Sequence, residues 1–160
     1  MSDAQTRAAI LDCAESWLET PYRHQSSVKG VGTDCLGLIR GIWRELYGAE
    51  PETPPAYTPD WAEATGEETL RDAAMRWLEP IDRPQAGDVL LFRMAPNAPC
   101  KHLAILSAPD QIFHAYWGKS VVRSSFVPYW RRRHVASFAF PSLLGASHGE
   151  FCCRRDAICG

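Results

Sequence analysis

No stretch of this 160-residue chain is long and apolar enough to span a membrane. Its first residues, Met1-Ser2-Asp3-Ala4-Gln5-Thr6-Arg7, lack a basic segment leading into an apolar one, so the sequence predicts no signal peptide and synthesis in the cytoplasm. Charge of either sign is not in excess, with 17 Lys and Arg against 19 Asp and Glu. That balance argues against a nucleic-acid or membrane partner. The charge is unevenly placed, acidic over residues 49–88 and basic from Arg93 to His134, and a solvated surface run accounts for it better than an anionic polymer does. There is no internal repeat. The six cysteines are irregularly spaced and do not form a secreted disulfide framework, so reduced thiols are the expectation.

What is present suits one domain with one core. Ser2 or Asp3 can cap a first helix reaching about Glu19, with Ile10, Ala14, Trp17 and Leu18 inward and Cys13 as core packing. Thr20-Pro21 ends it, and residues 21–34 read as a polar, Gly- and Ser-rich loop. A second helix opens at Cys35, capped by Asp34, with Leu38, Ile39, Ile42, Trp43 and Leu46 on one face and Gly48 as its stop. Gly37 and Gly41 lie four apart, which lets another element approach the helix backbone. The prolines at 51, 54, 55 and 59 make a long surface connection of Glu50 to Asp60. A third helix is expected over Glu67 to Leu78, with Leu70, Ala74, Trp77 and Leu78 inward, closed by Pro80 and Pro84. Strands follow at Asp88–Phe92, His102–Leu106, Gln111–Tyr116, Val121–Val122 and Ala136–Phe140. Helices first and closely spaced strands after predict an α+β domain on an antiparallel sheet. The domain is expected to cover residues 1–141, leaving 142–160 as an irregular or partner-bound tail.

The chemistry-bearing stretch is Gly32-Thr33-Asp34-Cys35-Leu36-Gly37. A cysteine in the first turn of a helix meets unpaired N–H groups and a partial positive charge, both of which favour the thiolate. A buried structural cysteine is an equally good reading of this stretch alone. If Leu106 opposes Asp110 across a three-residue loop, His102 falls directly opposite His114, and any register of the same parity keeps both on one face. A thiol on a helix packed against that face would complete nucleophile, base and orienter. Cys35, His102 and His114 could also be zinc ligands, but no close-spaced ligand pair supports a metal, and neither metal nor cofactor is expected.

Five segments, taken in order and spacing, resemble the NlpC/P60 cysteine peptidases over residues 5–140. They are Thr20-Pro21-Tyr22-Arg23, Thr33-Asp34-Cys35-Leu36-Gly37-Leu38, Ala86-Gly87-Asp88-Val89-Leu90-Leu91-Phe92, and His102-Leu103-Ala104-Ile105 with Ile112-Phe113-His114-Ala115. The resemblance implies a papain-like α+β fold, with N-terminal helices packed on a central antiparallel sheet, and cleavage of bacterial cell-wall stem peptides. It makes Cys35 the nucleophile, His102 the base, His114 the orienter and Tyr22 a contact of the oxyanion site. The sequence departs from the family pattern at Leu36, where serine is usual, and at His24-Gln25-Ser26, where Trp-Gly-Gly is usual. The Asp-Cys-Leu-Gly variant, the Trp-Arg-Glu-Leu-Tyr-Gly helix end and the Pro-rich insert look like the subgroup encoded in phage and gene-transfer-agent tail clusters. That likeness implies phage-like tail or baseplate partners and delivery to the wall as part of a tail.

Cys100 sits in a loop-like Ala98-Pro99-Cys100-Lys101 with no helix start beside it and reads as a bystander; His24 reads as an exposed loop residue. Trp117, Tyr129 and Trp130 read as packing or rim aromatics. His148, Cys152, Cys153 and Cys159 offer soft ligands, but adjacent cysteines suit one tetrahedral site poorly. The rival functions are a structural tail component with little or no activity and a thiol acyltransferase.

Overall fold

A computed structural model describes residues 3–54 and 66–143. Of the proposed tail, Ser142 and Leu143 are described, and Leu143 is buried in the core with its N–H on Thr6 Oγ1 at 3.1 Å; the rest, with His148, Cys152, Cys153 and Cys159, and part of the proline-rich connection lie outside the described residues. Helix α1 spans Asp3–Ser16 and α2 spans Cys35–Tyr47. A two-stranded hairpin, β1 (Ser27–Val28) and β2 (Gly32–Thr33), lies between them. Helix α3 is Thr69–Trp77 and α4 a single turn, Pro128–Arg131. The remaining strands are β3 (Glu79–Ile81), β4 (Val89–Arg93), β5 (Cys100–Ala108), β6 (Gln111–Ala115), β7 (Val121–Ser125) and β8 (His134–Ala139). These six form one antiparallel sheet in the order β3-β8-β4-β5-β6-β7. The α+β expectation holds. Among the described residues, no helix is long and apolar enough to cross a membrane.

Alternation along the strands divides the interior in two. Val89, Leu91, Leu103, Ile105, Phe113 and Ala115 face α1, α2 and α3 and make the main core with Ile10, Trp17, Leu38 and Ile42. Leu90, Phe92, Ala104, Leu106 and Ile112 face the other way, against Phe126 and Trp130. Helix α2 carries glycine where Trp17, just past α1, and the loop before β1 press in. A Cβ on Gly41 would stand 2.1 Å from the Trp17 ring, and one on Gly37 would stand 2.0 Å from the Ser26 carbonyl oxygen. Trp17 is pinned there by its Nε1–H, which donates to Glu45 at 3.0 Å. Glu45 also accepts from the Cys13 thiol at 3.1 Å, which keeps that cysteine in the packing role expected of it.

Three elements depart from the sequence-based expectation. The loop before Cys35 holds the β1–β2 hairpin, whose two-residue strands are too short to leave a period. Pro80 does not merely end a helix; it lies in β3, which is tolerated because β3 is an edge strand and Pro80 needs no second ladder partner. Trp77, expected inward, is 37% exposed, because the chain turns extended at Leu78 and that residue is buried in its place.

Candidate active site

Asp34 builds the site's first wall. Its carboxylate accepts the Gly37 N–H at 2.7 Å, as a helix N-cap does, and the Gln25 N–H at 2.8 Å. One buried side chain therefore fixes both the start of α2 and the loop that carries Tyr22 and His24. That loop is tied down further by Arg23 N–H to the Thr33 carbonyl, Thr33 N–H to the Pro21 carbonyl and Tyr22 N–H to the Lys119 carbonyl. Cys35 follows in the first turn, half-buried, with its thiol donating to the Lys101 carbonyl at 3.6 Å.

The histidines come from the sheet. The β5–β6 register differs from the one expected. Ile105 opposes Phe113 and Leu106 opposes Ile112, and an irregularity between Leu106 and Ala108 leads into a two-residue turn at Pro109-Asp110. His114 therefore lies opposite Ala104, one step diagonal to His102 instead of directly across. Parity survives, so both rings share a face, and the diagonal is short enough for imidazoles. His102 Nε2 and His114 Nδ1 are 2.8 Å apart with the ring planes at 72°. Continuing the diagonal by one strand, His114 Nε2 lies 2.9 Å from the Ser124 hydroxyl of β7.

A second correction concerns the route by which sulfur meets imidazole. Helix α2 packs on the main-core face, whereas His102 and His114 project toward the second cluster. The helix does not lie on the histidine face. Cys35 instead reaches the site at the start of β5, where its sulfur meets the backbone of Lys101 and Leu103, the two residues flanking His102. Cys35 and His102 then line one cavity of about 450 Å³ together with Tyr22, His24, Lys101 and Trp117. His24 is thus a wall of the cavity and not simply an exposed loop residue; its Nδ1 is 3.9 Å from Asp34 Oδ2.

Trp130 covers the pair. Its ring stacks on His102 at 5.2 Å and 26°, and meets His114 edge-on at 4.9 Å and 90°. Phe92 and Tyr116 close the remaining sides at 5.8 Å from His102 and 5.3 Å from His114. The sequence marked Trp130 as packing or rim; what it packs on could not be read, because a single helical turn carries it there.

Charge follows from this enclosure. Burial drives the His102 imidazole down to about 3, with the neighbouring His114 adding to the effect. Burial alone takes His114 down to about 4. Burial, and then the Asp34 carboxylate, push the Cys35 thiol up to about 12. The N–H groups of Leu103, Leu36 and Cys35 pull the other way and lose. The expected resting thiolate is therefore corrected: the helix start does act on the sulfur, but its own acidic cap and the closed surroundings outweigh it. Both shifts favour the neutral forms of sulfur and imidazole at rest. Burial also raises the Tyr22 hydroxyl, with Cys35 and Asp34 contributing, so it stays protonated and able to donate.

Cys100 is fully buried away from this cavity, its thiol raised to about 11 by burial and by Glu68, which suits a bystander. Asp88, part of the strand motif, binds Arg7 at 2.9 Å and the Gln85 N–H at 2.7 Å and shapes the turn before β4. Among the described residues, no group of three or more Cys, His, Asp and Glu side chains is arranged to hold a metal.

The NlpC/P60 family model matches residues 19–138. "Probable endopeptidase NlpC" of Escherichia coli (strain K12) is 27% identical over 134 residues, spanning 82% of this chain and 77% of that one. Among solved structures, the NlpC/p60 domain of the peptidoglycan hydrolase SagA superposes with a TM-score of 0.60 at 21% identity, covering 84% of this chain and 98% of that one. NlpC2 from Trichomonas vaginalis gives 0.58 at 16% identity, covering 84% and 46%. At these identities the two structures speak for the fold. With the helix-borne cysteine, the strand-borne histidines and a match over most of its length, the chain belongs to the NlpC/P60 family.

Proposed function

We propose that this protein is a cysteine peptidase that hydrolyses an amide bond in the stem peptides of peptidoglycan; its relatives are named a probable endopeptidase and a peptidoglycan hydrolase. The observation that carries the reading is the 2.8 Å contact between His102 Nε2 and His114 Nδ1 at the cavity that Cys35 shares. With Nε2 held by His114, Nδ1 is the nitrogen of His102 left for the thiol.

The neutral resting pair sets the order of events. The Cys35 proton passes to His102 Nδ1 as the sulfur attacks the scissile carbonyl carbon, so no free thiolate need accumulate. Negative charge develops on the carbonyl oxygen, where the Cys35 backbone N–H and the Tyr22 O–H are the donors. The imidazolium then protonates the leaving amine as the C–N bond breaks, leaving a thioester on Cys35. His102 next takes a proton from water, hydroxide adds to the thioester carbonyl, and the carboxylate product leaves as the thiol is restored. His114 orients His102 throughout and accepts its Nε2–H.

The finer placement rests on the sequence. The Asp34-Cys35-Leu36-Gly37 variant and the proline-rich insert support a phage-like tail component that reaches the wall with the particle and binds tail or baseplate proteins. Digestion of purified peptidoglycan, followed by mass spectrometry of the fragments, tests the activity. Wild-type protein should release stem-peptide fragments with new amino and carboxyl ends, and Cys35→Ala and His102→Ala should release none. Full activity in Cys35→Ala overturns the mechanism. Co-sedimentation with tail particles tests the placement, and its absence there overturns that part alone.

A further inference from the structure

The diagonal of polar side chains does not stop at the second histidine. Ser124 stands on the same face of β7, opposite Ile112, with its hydroxyl 2.9 Å from His114 Nε2. His114 is fully buried, so that nitrogen has no water to turn to. We propose that Ser124 is a positioning residue that fixes the tautomers of both histidines, resting on the assignment of His102 as the base.

Counting protons along the diagonal sets both tautomers. To receive the thiol proton, His102 Nδ1 must be bare, so its one proton sits on Nε2. That N–H points at His114 Nδ1, which must then be bare to accept it. The single proton of His114 is thereby forced onto Nε2, where it needs an acceptor. A serine hydroxyl accepts while its own hydrogen rotates elsewhere. Ser124 is half-buried and can send that hydrogen outward. Without the hydroxyl, the His114 Nε2–H is buried and unpaired, which is costly. The escape is to move the His114 proton to Nδ1, which leaves Nε2 a bare acceptor, a smaller cost than an orphaned N–H. That N–H then donates to His102 Nε2 and drives the His102 proton to Nδ1, toward the sulfur. His102 in that tautomer cannot take the thiol proton, although every heavy atom is in place. In Ser-His-Asp enzymes, the wrong tautomer of a correctly placed histidine costs about 10⁴ in kcat.

Nitrogen-15 spectra of histidine-labelled protein test this directly. Wild-type protein should show the proton on Nε2 of both His102 and His114. Ser124→Ala should move it to Nδ1 on both rings and lower kcat at least tenfold with KM unchanged, while Ser124→Thr, which keeps the hydroxyl, should restore both. Wild-type protein with the His114 proton on Nδ1 overturns the proposal without any variant. So does Ser124→Ala that keeps the Nε2 protons, whatever its activity. A wild-type tautomer as described, in a protein whose Cys35→Ala variant still cuts, would retain Ser124's effect on the tautomers and discard the mechanism.

Discussion

Lowering the pH from 7 to 5 should destabilise the fold through two imidazoles, the fully buried His114 and the half-buried His102. An ordinary imidazole titrates near 6.5, whereas His102 is taken down to about 3 and His114 to about 4 by burial against Trp130, Phe92 and Tyr116. Between those values the unfolded chain binds protons that the folded chain refuses, so stability falls as pH falls from 6.5 toward 3. At pH 5 each site sits about 1.5 pH units below the unfolded value and still above the folded one. At about 1.4 kcal/mol per unit, each histidine contributes about 2 kcal/mol of lost stability, or about 4 kcal/mol together. Urea unfolding at pH 7 and pH 5 measures this, in wild-type protein and in the His102→Gln, His114→Gln double variant. The loss between the two pH values should be about 4 kcal/mol smaller in the variant, whatever its stability at pH 7. An equal loss in both proteins would refute the claim that the imidazoles are buried neutral.

Four further outcomes follow. Gly41→Ala should cost about 1–3 kcal/mol by overpacking, because its methyl would meet the Trp17 ring at 2.1 Å; unchanged thermal unfolding would show that the ring is not pressed against α2. Asp34→Asn should act with two signs, keeping the cap to Gly37 through Oδ1 but losing about 1–3 kcal/mol because an amide NH₂ cannot accept the Gln25 N–H, while making the Cys35 thiol more acidic, since the Asp34 charge is one of the causes holding it high. Alkylation of Cys35 against pH, followed by peptide mapping, reads the second effect, and a midpoint that does not fall contradicts it. Trp130→Ala should cost about 3–5 kcal/mol and admit water to both imidazoles, moving the acid limb of kcat/KM upward toward 6.5. Tyr22→Phe should lower kcat more than it changes KM on a stem-peptide substrate, and equal kinetics would remove Tyr22 from the oxyanion site.

How far the sequence carries the argument depends on the range over which each feature is decided. The α2 start was legible because Asp34, Cys35 and the apolar stripe from Leu38 to Leu46 are local, and so was the glycine pair, of which Gly41 admits Trp17 and Gly37 admits the Ser26 carbonyl. Shared face for His102 and His114 followed from parity alone, which is why it survived an error in the turn. The exact pairing did not, because an irregularity at Ser107 has no sequence signature here. The side of the sheet on which α2 packs was not legible either, since alternation says which residues share a face but not which face a helix covers. The charge state of Cys35 was misread for a related reason: the helix start is local, whereas the burial that outweighs it comes from strands 66 residues away. Ser124 and Trp130 carried no local signal, and they gain meaning only from what the sheet sets beside them.

The account stands or falls on the identity of the atom that attacks the peptide. Acid quenching of a single turnover with a defined stem peptide, followed by intact-protein mass and peptide mapping, reads it directly. The expected result is a transient acyl adduct mapped to Cys35, absent from Cys35→Ala and from His102→Ala. An adduct on another residue, or hydrolysis at full rate in Cys35→Ala, would contradict it.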